Sequence, residues 1–457
     1  MSKLILKPQA TITLYTPFTV KMEEILNENP PEFKYHIDYF NYILHLVNDI
    51  AIKRKDEELQ GTPLYSSLLK SRLGSNYRKY LDYLVQNDIL IEKKQYMKGG
   101  YSRKFKFAQP HDSAILVPTP ITKLTLIKSH ERFINLGIEG LRLIPEPNEQ
   151  DYKYLLKWHN NKLKIDSDKA RKYLLNLLYS DLFQDEETAT LKYSRRLVTV
   201  EKINKAEFFP HFDTTAGRLH SPLTQLKKEL RPFLTYDGQK LVSIDIKNSQ
   251  PYLSTILFNK DAFERNKVGQ KIKLYKRNVN ESFYSYAPNS FTKMEKKGEP
   301  SDIALYIQHV ASGEFYEEFA KILIQEDLIP ETEKDIRKYA KNIAFRTLFS
   351  PNRHRQFVKE IQLFEKTYPN VYKNFAFIKK GFREHNTLAC LLQNIEAEIV
   401  LKVICKEIAK TFPKAPIFTI HDSIVTTKDY YTLVKDIMER KLTELVGIPP
   451  QLSIEEW

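Results

Sequence analysis

Leu241-Val242-Ser243-Ile244-Asp245-Ile246-Lys247-Asn248-Ser249-Gln250 is the stretch on which the fold turns. Its first residues form a short apolar run with β-branched members, which predicts a buried strand, and the run meets a carboxylate at Asp245. A second stretch repeats the pattern: Pro416-Ile417-Phe418-Thr419-Ile420-His421-Asp422. Between the two lie Arg337, Lys341, Phe345 and Phe349, each four residues from the last. Steps of four line side chains up on one helix face, so a basic stripe running into an aromatic pair is predicted there. Two strand-end carboxylates and one cationic helix can together hold two divalent metal ions and a triphosphate.

Composition bounds the rest. The chain has 457 residues, 42% of them hydrophobic and 12% aromatic, which predicts two or three domains with filled cores and not a disordered chain. The formal charge of +14 favours polyanionic partners without requiring a specific site. The two cysteines, Cys390 and Cys405, fall in apolar helical patterns and read as small buried hydrophobes, not as a zinc site. No apolar run approaches the ~18 residues that span a bilayer. The start, Met1-Ser2-Lys3-Leu4-Ile5-Leu6-Lys7, lacks the long apolar core of a signal peptide. The expectation is a soluble, intracellular (cytoplasmic) protein with no membrane partner.

The N-terminal third carries a second pattern. Phe40, Ile43, Leu44, Val47 and Ile50 recur at helical steps, predicting a helix within residues 33–60. Tyr65 to Leu84 predicts two further helices, with a turn and an N-cap at Leu73-Gly74-Ser75-Asn76. Two strand-like runs follow, Ile89–Tyr96 and Ser102–Phe107, joined across Gly99-Gly100. Helix, turn, helix and basic hairpin together look like a winged helix-turn-helix. Its hairpin alternates Lys93, Lys94, Arg103 and Lys104 with aromatic residues, suiting phosphate contact and base stacking. A protein-binding hairpin, or lysines that merely block strand pairing at an edge, are the competing readings. Pro110, Pro118 and Pro120 mark 109–129 as a linker or an extended crossing segment, and residues 130–210 read as mostly helical.

Four motifs then occur in order: Thr214-Thr215-Ala216-Gly217-Arg218-Leu219, the Asp245 stretch, the Arg337–Phe349 helix, and Gln393-Asn394-Ile395-Glu396 with His421-Asp422-Ser423. Over residues 205–457 this set resembles the family A DNA polymerases and their relatives, the phage-type single-subunit RNA polymerases. The resemblance implies an α+β, right-hand polymerase fold, with a palm sheet, helical fingers and a reduced thumb, behind an N-terminal winged helix. The expected division is an N-terminal segment 1–32, winged helix 33–108, linker 109–129, thumb-like helices 130–210, and palm and fingers 211–457.

It also implies roles. Asp245 and Asp422 hold two Mg2+ ions, with Mn2+ as an alternative. Arg337 and Lys341 grip the triphosphate of a nucleoside triphosphate, and Lys341 protonates the leaving group. Phe345 packs on the incoming base or sugar, and Phe349 abuts the nascent pair. Arg218 reaches the primer strand, while Gln393 and His421 line the minor-groove side and the primer end. DNA template and primer are the implied partners, with replication accessory proteins as further candidates.

The chain also departs from the pattern. Gln250 stands where family A DNA polymerases usually place a sugar-excluding Glu, and Ser423 follows Asp422 where Glu is frequent. His-Asp-Ser is more like the RNA polymerases, yet those usually carry Tyr at the position of Phe349, which has no hydroxyl. These signals on sugar choice conflict, and deoxynucleotides are the favoured reading. No Asp-x-Glu strand motif precedes residue 205, so no proofreading is expected. The favoured function is a compact DNA polymerase of a phage or mobile element. The rivals are an RNA polymerase or primer-synthesising enzyme, a winged-helix replication initiator with an inactive polymerase fold, and a metal-dependent nuclease.

Overall fold

The apolar positions gather into two separate cores. The computed structural model describes residues 11–53, 61–94, 103–136, 149–184, 186–208, 210–213, 215–275, 301–380 and 385–457. These form two compact units, one drawn from residues 1–138, 165–209 and 226–233, the other from 139–164, 210–225 and 234–457. Both mix helix and sheet. No helix among the described residues is long and apolar enough to cross a membrane.

In the first unit β1 (Ile12–Pro17) and the helix Met22–Glu28 precede the helix Ile37–Lys53. After β2 (Thr62–Pro63) come the helices Ser66–Leu73 and Tyr77–Gln86, then β3 (Leu90–Lys94) and β4 (Lys104–Phe107). The three short strands form one sheet in the order β2-β4-β3. Phe40, Leu69, Tyr80, Leu84 and Phe105 close the core between helices and sheet. Gly74 makes the turn between the paired helices, at φ 77°. Asn76 occupies the N-cap position but makes no side-chain cap hydrogen bond, so the turn rests on glycine and not on the predicted cap. Gly99-Gly100 lies outside the described residues.

Residues 109–129, read above as a linker or an extended crossing segment, contain β5 (Leu116–Ile121) and the start of the helix Leu124–Leu136. β5 pairs antiparallel with β1, placing Pro118 opposite Tyr15 and Pro120 opposite Thr13. A two-stranded ribbon is all edge, so prolines cost it few ladder bonds. The helices Ser167–Gln184 and Glu186–Asn204 belong to the same unit and pack on each other, tied by Arg171–Glu201 and Arg196–Asp181 ion pairs at 2.6 Å.

The second unit is built on a sheet of β6 (Leu163–Ile165), β9 (Leu234–Tyr236), β10 (Gln239–Ile246), β11 (Phe418–Ile420), β12 (Ser423–Thr427) and β13 (Leu452–Glu456). Its path is β11-β12-β10-β9-β6, with β13 also pairing β10. Asp237-Gly238 joins β9 to β10 with both residues at positive φ, 52° and 81°, the two-residue turn that suits strand twist. β7 (His211–Phe212) and β8 (Leu219–His220) form a separate two-stranded ribbon that packs against β11. Helices bury Tyr306, Phe315, Phe319, Phe364, Tyr368 and Phe375 in one aromatic cluster, with Tyr306 meeting its neighbours edge to face and Phe315 stacked on Phe319. Cys390 and Cys405 are both free thiols.

One buried carboxylate holds the first unit's chain reversal. Asp38, 3% exposed, accepts from the backbone N–H of Thr122 and Lys123 at 2.8 and 2.7 Å, at the start of the Leu124–Leu136 helix. Asp38→Ala strands both donors and should destabilise this unit by about 2–4 kcal/mol, read as a lowered chemical-denaturation midpoint, with Asp38→Asn less damaging.

Candidate active site

Strand register brings the two carboxylates together. β10 and β12 run antiparallel with Ile244 opposite Ile424, so the next residues along are Asp245 and Ser423. The Ser423 hydroxyl donates to Asp245 Oδ1. Asp422 immediately precedes Ser423, in the two-residue link His421-Asp422 between β11 and β12, where His421 takes a positive φ of 55°. The two acidic side chains therefore belong to one end of two adjacent strands.

The chain leaving Asp245 bends sharply. Asn248 is buried and left-handed, at φ 52°, and neither end of its amide has a hydrogen-bond partner among the described residues. Asparagine tolerates that conformation better than branched residues. The helix Ser249–Ser254 starts at once, and the Ser249 side chain hydrogen-bonds Asp422.

Arg218 is placed by a loop organised around Asp213. That carboxylate accepts from the amides of Thr215, Ala216 and Arg218 at 2.9, 2.6 and 2.9 Å, and faces His220 Nε2 at 3.4 Å. Burial alone raises the Asp213 pKa, but the His220 contact and the amides outweigh it and hold the group at about 2. Gly217, at φ 75°, lets the loop close. Asn394, on the helix Thr387–Ala397, donates to the Ala216 carbonyl at 3.1 Å.

The same helix carries Glu396, only 1% exposed. Arg218 Nη2 lies 2.8 Å from both of its oxygens, and Gln250 Nε2 donates to Oε2 at 2.6 Å. Burial pushes the Glu396 carboxyl up to about 7, aided by the nearby Asp422 charge and opposed by Arg218. A π-helical stretch, Glu398–Ile404, follows directly.

The helix Ile336–Phe349 buries Ala340, Ile343, Ala344, Thr347 and Leu348, while Arg337 is exposed and Lys341, Phe345 and Phe349 are half-buried. The stripe predicted at four-residue steps thus lies off the buried face. Arg337 Nε meets Glu317 Oε1 at 2.5 Å. Arg337 and Lys341 approach the Tyr316 ring at 5.6 and 5.8 Å from its centroid, and Lys341 is 5.5 Å from the Phe345 ring. Tyr316 and Phe345 meet edge to face at 6.3 Å, and Phe345 and Phe349 are 5.6 Å apart. The Tyr316 phenol is pushed up by burial, eased by Arg337 and reinforced by Asp422.

Charge ties these parts to the strand ends. Burial raises the Asp422 carboxyl above its ordinary value, while the Ser249 hydrogen bond and the positive charges of Arg218 and Lys341 pull it back. Perturbed titratable groups of this kind concentrate at functional sites. No group of three or more His, Cys, Asp or Glu side chains suited to a metal occurs among the described residues. The donor set is instead two carboxylates on adjoining strand ends, one of them made less acidic by burial. That set fits Mg2+, which binds through one or two carboxylates and takes its remaining oxygens from substrate and water.

The structure therefore gathers Asp245, Asp422, Arg218, Gln250 and Lys341, with Arg337 and Phe345 joined to them through Tyr316. Phe349 extends the stripe, His421 lies 6.1 Å edge-on from His220, and Gln393 is half-buried on the Thr387–Ala397 helix. Lys93, Lys94, Arg103 and Lys104 belong to the other unit. Lys93 is exposed, but Arg103 pairs with Glu92 and Asp82, so its guanidinium is already engaged. Ser249, Tyr316 and Asp213 escaped the sequence reading, and Glu396 was seen without a role. Only Glu396 carried a signal. It sits among Leu388, Leu392, Ile395 and Ile399 in an apolar helical pattern, where a charge needs a partner.

No family model matches the chain, and no curated protein matches it. Among solved structures it is similar to the polymerase domain of Pol1 from M. smegmatis in complex with DNA primer-template and dNTP. The identity is 11% and the TM-score 0.44, over 73% of this chain and 72% of that one.

The end of the cationic helix is fixed by another buried charge. Lys379, 4% exposed, donates to the carbonyls of Thr347 and Ser350 at 2.6 and 3.2 Å, the last turn of the Ile336–Phe349 helix. Burial lowers its pKa from 10.5 to about 8. Between those values the unfolded chain binds the extra proton, so stability rises with pH across this window and is lost as pH falls through 8. Wild type should gain on the order of 3 kcal/mol relative to Lys379→Met between pH 7 and pH 10.5, measured by denaturant titration.

Proposed function

We propose that the protein is a template-directed nucleotidyltransferase that joins a nucleoside triphosphate to a 3′-hydroxyl, most simply as a DNA polymerase. The observation that carries this reading is the convergence of Asp245 and Asp422 on adjoining strand ends, within the electrostatic reach of Lys341. Asp245 and Asp422 would hold divalent cations, which acidify the attacking hydroxyl and neutralise charge on the departing pyrophosphate. Ser423 and Ser249 hold the two carboxylates in place by hydrogen bonds. Arg337 and Lys341 bind the triphosphate, with Arg337 exchanging Glu317 for phosphate oxygens. Lys341 can give its proton to the leaving group. Phe345, braced by Tyr316, offers a ring face to the base or sugar.

The first unit supports the same reading from its own side. Its helix-turn-helix with a three-stranded sheet has the element order of a winged helix, and Lys93 and Lys104 lie on its basic hairpin. We read this unit as a nucleic-acid contact.

A ribonucleotide enzyme is the second reading, favoured by Gln250 and Ser423 at positions where DNA polymerases often carry carboxylates. Primer extension with each nucleotide set decides between the two. In that assay Asp422→Ala should lose at least about a hundredfold and Lys341→Ala a similar factor, with pyrophosphate released by wild type. An inactive wild type, or strand shortening in place of pyrophosphate release, refutes transfer. In a separate titration, Lys93→Ala/Lys104→Ala should weaken DNA binding and lower the log–log salt slope by up to about 2. An unchanged slope removes the hairpin from the nucleic-acid contact.

A further inference from the structure

The two cations of the helix Ile336–Phe349 keep different company. Lys341 lends its positive charge to Asp422. Arg337 lies four residues earlier, so it stands about 6 Å further along the helix axis. There it meets Glu317, from the neighbouring helix Phe315–Gln325 that packs on this one. Glu317 Oε1 accepts from Arg337 Nε at 2.5 Å, while Glu317 Oε2 is buried and has no hydrogen-bond partner among the described residues. Glu317 and Asp422 both act on the buried Tyr316 phenol, so this pair borders the site. The two side chains are 54% and 37% exposed. An ion pair that open adds little to stability, so a strut between helices is a poor account of it.

A ligand anchored at Asp245 and Asp422 meets Lys341 first, and Arg337 only with the far end of its phosphate chain. A carboxylate carries a single negative charge and a terminal phosphate about two near pH 7, so the phosphate wins the guanidinium wherever it reaches it. Giving up Arg337 takes a donor from Glu317 while its other oxygen already lacks one, and a short or weakly charged ligand does not return that cost. Resting on the nucleotidyl-transfer reading, we propose that Glu317 is a selectivity residue for phosphate-chain length. It holds Arg337 against ligands with too few phosphates, yields it to the terminal phosphate of a nucleoside triphosphate, and takes it back as pyrophosphate leaves. Glu317 itself bonds no part of the nucleotide.

Calorimetric titration with dATP, dAMP and pyrophosphate, each with Mg2+, reads the exchange without turnover. Glu317→Gln keeps the shape and removes the charge. It should tighten dATP and pyrophosphate about fivefold and leave dAMP unchanged. Glu317→Ala, which cannot accept from Arg337 at all, should tighten dATP at least as much. In an Arg337→Ala background the contested cation is gone, so adding Glu317→Gln should change dATP binding by less than about twofold. Denaturation midpoints of each variant report folding.

Unchanged or weaker dATP binding in both folded Glu317 variants overturns the proposal and leaves a plain strut. A gain that persists in the Arg337→Ala background overturns it too, because the carboxylate then merely repels polyphosphate at a distance. Equal tightening of dAMP removes the selectivity for chain length. Failure of the wider reading looks different: wild type then binds dATP without incorporating it in primer extension, and the same titrations still judge Glu317. If one Glu317 variant unfolds, the other decides.

Discussion

The pairing of β10 with β12 is the constraint from which the site follows. Ile244 opposite Ile424 sets Asp245 opposite Ser423, and the tight His421-Asp422 link then puts the second carboxylate at the same strand end. A slip of one residue would turn every β10 side chain to the other face and take Asp245 away from Ser423. Leu241 to Ile244 are buried on both faces of the strand, so a slipped register would have to refit two packed surfaces at once. Hydrophobic burial, which has no chemistry of its own, thus fixes the position of the groups that do.

Around this strand end the interior is polar to a degree that stability alone does not explain. Glu396, Arg218, Gln250, Asn248 and Asp422 share a small volume, and Asn248 and Gln250 keep unsatisfied polar atoms. Burying charge costs free energy even when partners are present, and replacing such groups with apolar ones is often neutral or stabilising. The second unit offsets that cost elsewhere, through the large cluster of aromatic rings around Tyr306 and Phe364. The polar pocket and the aromatic cluster are therefore two sides of one balance.

Local patterns were legible in the chain, and through-space relations were not. The strand carrying Asp245, the four-step stripe from Arg337 to Phe349, and the helix-turn-helix with its hairpin all follow from periodicity within a few turns. The Tyr316 ring under Arg337 and Lys341 was invisible, because it comes from a separate helix, Phe315–Gln325. The two bonds to Glu396 span 178 and 146 residues, far beyond any local pattern. Residues 109–129 left a linker and an extended crossing segment both open for a different reason. Proline signals a break in the commoner kinds of sheet, but an edge ribbon accepts it, and only the pairing with β1 reveals which applies.

Asn248 has a bearing on how this chain can change over time. Its left-handed backbone is the hinge that swings Ser249 toward Asp422. Glycine, asparagine and aspartate enter that region readily, whereas β-branched residues are excluded from it by their own Cβ substituents. Drift at this position is therefore filtered by torsion as well as by burial, so its allowed alphabet is short even though its side chain makes no hydrogen bond among the described residues.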